Sequence, residues 1–172
     1  MATLDYRERP FSKTTLTRTG NHVGRNSFPR LFFVENSLRI IINTVLSIQI
    51  NPNWWNTLIS HGLKEKAIQE ERKHIERITG RTPVLRAGNR SIHFLLLSEL
   101  INIARQNIHK FTPVLKGFDE YLIELDSFRG ARNYVCHMNY PFKDDRIFME
   151  KIRLKTYNYL KYIEKKYNLI IP

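Results

Sequence analysis

Cysteine is almost missing from this chain. Cys136 is the only one among 172 residues, so no intrachain disulfide can form, and a reducing, cytoplasmic setting is expected. The first residues hold no apolar stretch of the kind a secretory signal needs. No apolar run approaches the ~18–20 residues of a membrane span. The candidates around Ile40–Ile50 and Phe94–Leu97 are broken by Asn43, Gln49, Ser98 and Glu99, and no membrane partner is expected. Strand-like alternation and internal repeats are absent too. None of His22, His61, His74 or His109 pairs with a Cys, an Asp or another His at metal-ligand spacing, so neither a metal nor a cofactor is expected. There is no phosphate-cradling glycine loop, no serine nucleophile elbow and no convincing pair of carboxylates.

Acidic residues are the scarce charge, 16 Asp+Glu against 28 Lys+Arg, for a formal net +12. A field of that sign favours polyanions, nucleic acid above all, although an inert basic surface would count the same. The first 30 residues carry six basic and two acidic side chains among threonines and glycines, with no apolar period. Residues 1–27 are therefore expected to form a flexible basic arm, and 28–172 a single domain with one core. An arm packed on the domain through Phe11 or Phe28 is the plain alternative.

Apolar residues at helical spacing are what the chain has in quantity. Val34, Leu38, Ile41, Ile42 and Val45 predict a helix over 31–47, with Glu35, Arg39 and Asn43 as a polar stripe at i, i+4, i+8. That stripe reads either as a solvated ion pair or as charge beside an active centre, with Arg39 a candidate RNA contact. Asn51-Pro52-Asn53 breaks the chain, and Trp54 and Trp55 follow as anchors. A charged helix is predicted over 63–78 and a loop over 79–89. Ser91 can cap a helix to about 107, with Ile92, Leu96, Leu100 and Ile103 facing inward. After Phe111-Thr112-Pro113, a helix over 119–136 turns Leu122, Leu125, Phe128 and Val135 to the core. Gly130 inside it suggests a close approach or a bend. Pro141 ends that element. Asp144 or Asp145 caps a last helix to about 167, with Phe148, Ile152, Tyr159, Ile163 and Tyr167 inside. The sum is an all-α bundle of four to six helices.

One stretch concentrates chemistry. Residues 125–141 read LDSFRGARNYVCHMNYP, with Arg132-Asn133 and then His137. An arginine stays protonated and grips phosphate oxygens bidentately, and a histidine exchanges a proton near neutral pH. Together they suffice to break a phosphodiester without metal. Arg132 would clamp the phosphate and stabilise its transition state. His137 would act as base or acid at the 2′-hydroxyl or the leaving 5′-oxygen, and Asn133 would orient either. Arg129, four residues before Asn133 on the same face, is a candidate second RNA contact. The structural alternatives are a salt bridge from Arg132 to Asp126, Glu124 or another chain, helix-end caps for Asn133 and His137, and surface charge for Arg129. Composition supplies Arg-x4-His roughly 0.6 times in such a chain and Arg-Asn-x3-His roughly 0.05 times, so the asparagine carries most of the specificity. Arg86-x6-His93 is a looser pair straddling a loop and a helix start.

Arg132-Asn-x3-His137 near the end of a late helix, with another long helix after it, resembles the HEPN superfamily (higher eukaryotes and prokaryotes nucleotide-binding domains). Phe33-Val-Glu-Asn-Ser-Leu-Arg39, Leu97-Ser-Glu-Leu-Ile-Asn-Ile103 and Phe111-Thr-Pro-Val-Leu115 are similar to segments of its stand-alone group linked to abortive infection and toxin systems. The likeness covers residues 33–167. Cys136 stands where a small alanine is common and should pack similarly. The resemblance implies an HEPN-like bundle, a homodimer and metal-independent RNA cleavage, in a toxin or defence effector with a possible antitoxin or regulatory partner. RNA is favoured over DNA because only RNA carries the 2′-hydroxyl nucleophile. The family also includes modules that only bind nucleotide or RNA, or dimerise. A DNA-binding helical protein would use the same charge, but no helix-turn-helix signature is evident. In an ideal helix Arg132 and His137 lie about 140° apart around the axis. Either the helix unwinds before Pro141 and swings His137 round, or a second copy brings its own motif alongside, and the angle and the resemblance together favour the second, a composite site across a two-fold homodimer.

Overall fold

The computed structural model describes residues 13–78, 91–137 and 139–169, and among them every regular element is helical. Helix α1 (Lys13–His22) continues through a π-helical turn (Val23–Ser27) into α2 (Phe28–Gln49). The short α3 (Trp54–Leu58) and the charged α4 (His61–Ile78) follow. A 3₁₀ turn (Ser91–Phe94) leads into α5 (Leu97–Gln106), α6 (Ile108–Phe111), α7 (Phe118–Cys136) and α8 (Lys143–Tyr167). This is an all-α architecture in which α2 lies along α8, while α7 packs on both α5 and α8.

The boundary expected after residue 27 falls inside a helix. Val23 and Ser27 are buried, and once α2 exists, adding residues at its end is easier than nucleating a new helix. The basic-arm expectation therefore fails over 13–27, and residues 1–12 lie outside the described residues. The rod from Leu16 to Gln49 is long and apolar enough by composition to cross a membrane, which the sequence did not lead one to expect. Half of its most apolar window is buried inside the bundle. Val34, Leu38, Ile41, Ile42 and Val45 have no exposed surface, as in the central helix of a packed core.

Trp54, Phe111, Phe118, Tyr121 and Phe128 are the largest fully buried side chains, each contributing about 1.5–3 kcal/mol. Phe111 stacks on Phe118 at 4.9 Å between ring centroids. The buried Thr156 hydroxyl donates to the Ile152 carbonyl at 2.7 Å and takes a 2.6 Å hydrogen bond from Tyr121. Burial pushes the Tyr121 phenol well above its usual range, so it stays neutral. Gly117, at φ +69°, turns the chain into α7 through the left-handed region, where a side chain would be strained.

Three expectations change. The helix expected from Ser91 is interrupted, because Leu96 is extended at ψ 157° and α5 starts only at Leu97. The Glu99 carboxylate accepts the Leu96 N–H at 2.7 Å and fixes this start. The register shift leaves Leu96 exposed rather than in the core. A side chain at Gly130 would meet nothing within 4 Å, so no close approach occurs there. On α8 the buried line is Met149, Ile152, Thr156, Leu160 and Ile163, while Phe148, Tyr159 and Tyr167 flank it half-buried. The loop expected over 79–89 lies outside the described residues.

Candidate phosphate-binding site

Arg132 leaves α7 on the side facing α2. Its Nε donates to Glu35 Oε1 at 2.8 Å, with Glu35 only 15% exposed. A carboxylate in that position fixes the guanidinium plane. Burial alone would lower the Arg132 pKa, but the Glu35 hydrogen bond and charge outweigh it and hold the value above normal. Nη1 of Arg132 donates to Asn133 Oδ1 at 3.2 Å. The salt bridges expected from Arg132 to Glu124 or Asp126 do not form. Glu124 takes Lys151 and Lys155 from α8, each at 2.9 Å, and Asp126 takes Arg105 and Arg129 at 2.9 and 2.7 Å.

Arg132, Arg129 and Asn133 share a cavity of about 170 Å³ with Leu96, Leu97 and Ser98. The last three residues form the start of α5. A helix start points N–H groups outward and carries partial positive charge, part of which Glu99 already meets here by accepting the Leu96 N–H. Around the cavity three carboxylates, Glu35, Asp126 and the Glu99 that caps the α5 start, serve four guanidiniums, Arg132, Arg39, Arg105 and Arg129, and the Lys66 ammonium. The local balance is cationic, and its donors match phosphate oxygens.

Arg39 requires a correction. Its side chain is 10% exposed, 3.7 Å from Glu35. Its guanidinium donates to the Leu95 carbonyl at 2.9 Å, the Ile92 carbonyl at 3.4 Å and Asn36 Oδ1 at 3.3 Å. Burial holds its pKa below normal, against the opposing pull of Glu35. Its donors are turned inward, to the backbone before α5 and to Asn36, rather than toward the cavity. It ties α2 to the backbone just before α5 and stands behind Glu35, so the 35/39 stripe does lie beside Arg132.

His137 is exposed and sits at the end of α7, where its backbone N–H donates to the Asn133 carbonyl at 3.0 Å. It does not line the cavity that Arg132, Arg129 and Asn133 share. The following chain is pinned. Tyr140 lies between the His22 ring, at 5.0 Å, and the Arg146 guanidinium, at 5.5 Å, and Phe142 stacks on Tyr134 at 5.7 Å. The structure therefore groups three of the expected site residues and leaves His137 one turn beyond. Sequence reasoning missed the α5 start as a cavity wall. Its signal was Glu99, three residues after Leu96 and in place to accept the Leu96 N–H.

No protein-family model, curated protein or solved structure matches this chain.

Proposed function

We propose that this chain is an HEPN-type endoribonuclease that cleaves RNA without a metal ion, acting as a cytoplasmic toxin or defence effector. The observation that carries the reading is the cavity in which Arg132, fixed by Glu35, meets Arg129, Asn133 and the start of α5. Side chains of that kind hold a phosphodiester directly, not through a bridging cation. The 2′-hydroxyl gives its proton to an imidazole and attacks the adjacent phosphorus, and the 5′-oxygen leaves with a proton. The products are a 2′,3′-cyclic phosphate and a 5′-hydroxyl. Arg132 stabilises the charge on the equatorial oxygens, and His137 is the proton carrier. His137 lies outside its own chain's cavity, so the site is read as composite, with the imidazole of a second copy reaching the Arg132 of the first.

Pure protein incubated with total RNA and tRNA in EDTA tests this by end-group analysis. Cleavage with cyclic-phosphate ends is expected, falling on the order of 10²–10³-fold in Arg132→Ala and about 10²–10⁴-fold in His137→Ala. Mixing the two inactive variants restores part of the cleavage, because a heterodimer keeps one intact site. Dependence on a divalent ion with 5′-phosphate ends would refute the mechanism, and a dilute monomer that remains fully active would refute the shared site. The alternative is a non-catalytic RNA-binding or dimerisation module. It draws on Arg132 being already matched by Glu35, and it expects no turnover from any of these proteins.

A further inference from the structure

Arg132 stands between two recesses. On the far side of its Glu35 partner lies an open groove of about 780 Å³ lined by Phe28, Phe32, Phe33, Glu35, Ile40 and His93. Cys136, one turn after Arg132, closes its edge. Phe32 is 64% exposed and Phe28 36%, and four residues apart they share one face of α2. Phe33 is braced by Tyr157 at 6.5 Å. The rim is polar. Burial and the nearby Arg39 charge keep the His93 pKa below normal, so near neutral pH its imidazole offers one donor and one acceptor.

Aromatic faces beside phosphate-binding arginines are the means by which a single strand is held, with the backbone on the cations and the bases on the rings. Glu35 lines the groove and Arg132 lines the small cavity, and their 2.8 Å ion pair joins the two recesses. Phe32 lies three residues before Glu35 on α2, on the same face of that helix, which sets its ring about one turn from the carboxylate that holds Arg132. A paired base could not enter, because its faces are stacked and its edge is taken. Charge favours the same occupant, since the chain carries net +12 and the arginine cluster has more cations than carboxylates.

We propose that this groove seats an unpaired RNA base next to the phosphate held at Arg132, making Phe32 a substrate-positioning residue. The inference rests on reading the Arg132 cavity as an RNA site. The probe is a short 2′-O-methyl oligoadenylate, which lacks the nucleophile, carrying 2-aminopurine as a fluorescent base. A fully abasic strand of the same length and charge is the comparison. The full chain quenches the fluorophore and binds oligoadenylate about tenfold more tightly than Phe32→Ala does, while Phe32→Trp retains the affinity. The abasic strand binds weakly and does not distinguish the variants. Equal binding of oligoadenylate by Phe32→Ala overturns the proposal. So does a sedimentation result in which Phe32→Ala only converts a dimer to monomer and leaves the quenching intact, because a second copy then covers the groove. Cleavage of unmodified RNA in parallel separates this proposal from the ribonuclease reading. Base-dependent binding without cleavage supports the groove and refutes the enzyme. Cleavage with equal binding of intact and abasic strands does the reverse.

Discussion

Arg39→Met isolates the residue for which burial and charge conflict most. Methionine keeps much of the apolar stem packed between α2 and the 3₁₀ turn but removes every donor. The Leu95 carbonyl loses its 2.9 Å partner and the Ile92 carbonyl a longer one at 3.4 Å. The Ile92 carbonyl keeps the Leu95 N–H at 3.3 Å, so the Leu95 carbonyl is the acceptor left without a donor, which costs about 1–3 kcal/mol. Glu35 is not stranded, because it keeps Arg132 at 2.8 Å. The loss should therefore fall below the ~3–5 kcal/mol typical of a broken buried pair, at about 1–3 kcal/mol. For a chain of this size that lowers Tm by about 2–12 °C. Urea unfolding should show a lower midpoint at unchanged slope. Arg39→Lys should fall between, since an ammonium keeps the charge near Glu35 but lacks the planar fork that spans two carbonyls. A stability loss under about 0.5 kcal/mol combined with weaker RNA binding would refute the positioning role and return Arg39 to the RNA surface.

Gly130→Ala should stabilise α7 by up to about 1 kcal/mol, because nothing lies within 4 Å of the added methyl; a lower melting temperature would show that the bare backbone is covered by something in solution. Glu150 is held at a pKa of about 2 by the Arg153 hydrogen bond, opposed by burial and helped by Arg30. Folding thus favours its ionised form, and its contribution is complete above about pH 4.5 and lost as pH falls toward 2; solvent screening of a side chain about one-third exposed reduces the size. Glu150→Gln should flatten that acid limb in urea titrations at stepped pH, and superimposable limbs would contradict the assignment. Glu35→Gln frees the Arg132 charge while loosening its orientation. RNA affinity should rise with a salt slope steeper by about one unit as cleavage falls, and undiminished cleavage would show that Glu35 does not position Arg132.

Long apolar stripes made most of the bundle legible. Residues 31–47 and 119–136 each repeat apolar side chains over several turns, so α2 and α7 lie near their expected places. The start of α5 was hidden by Leu95-Leu96-Leu97, because three consecutive leucines fit any helical phase. Only the exposed Leu96 and the Glu99 bond reveal the break. The segment 13–27 was hidden for the opposite reason: its threonines and glycines carry no period, and its helicity is borrowed from α2. At the site, the residues within one helix could be read from spacing alone. The partner of Arg132 could not, since Glu35 lies 97 residues away, and local charge made Asp126 and Glu124 look equally eligible. Arg39 misled because a charged residue in a polar stripe looks exposed until another segment is laid over it.

The separation of Arg132 from His137 bears on the mechanism as well. Five residues along a helix place them about 140° apart, and α7 remains helical through Cys136. One protomer could bring its own imidazole round only by unwinding after Cys136. That movement is opposed where it would have to begin. The His137 N–H is bonded to the Asn133 carbonyl and the Asn139 N–H to the Tyr134 carbonyl. Tyr140 is held between His22 and Arg146, and Phe142 lies on Tyr134. Arg132 is no freer to move, because Glu35 holds its Nε and Arg39 stands behind Glu35. A guanidinium and an imidazole on different sides of one helix converge poorly on a single phosphate, whereas in the proposed homodimer two copies of that helix related by a two-fold axis would present one group each. In the proposed dimer the Glu35-held guanidinium of Arg132 would need no rearrangement as a strand enters, and the exposed His137 at the end of α7 would be the group that reaches it from the second copy.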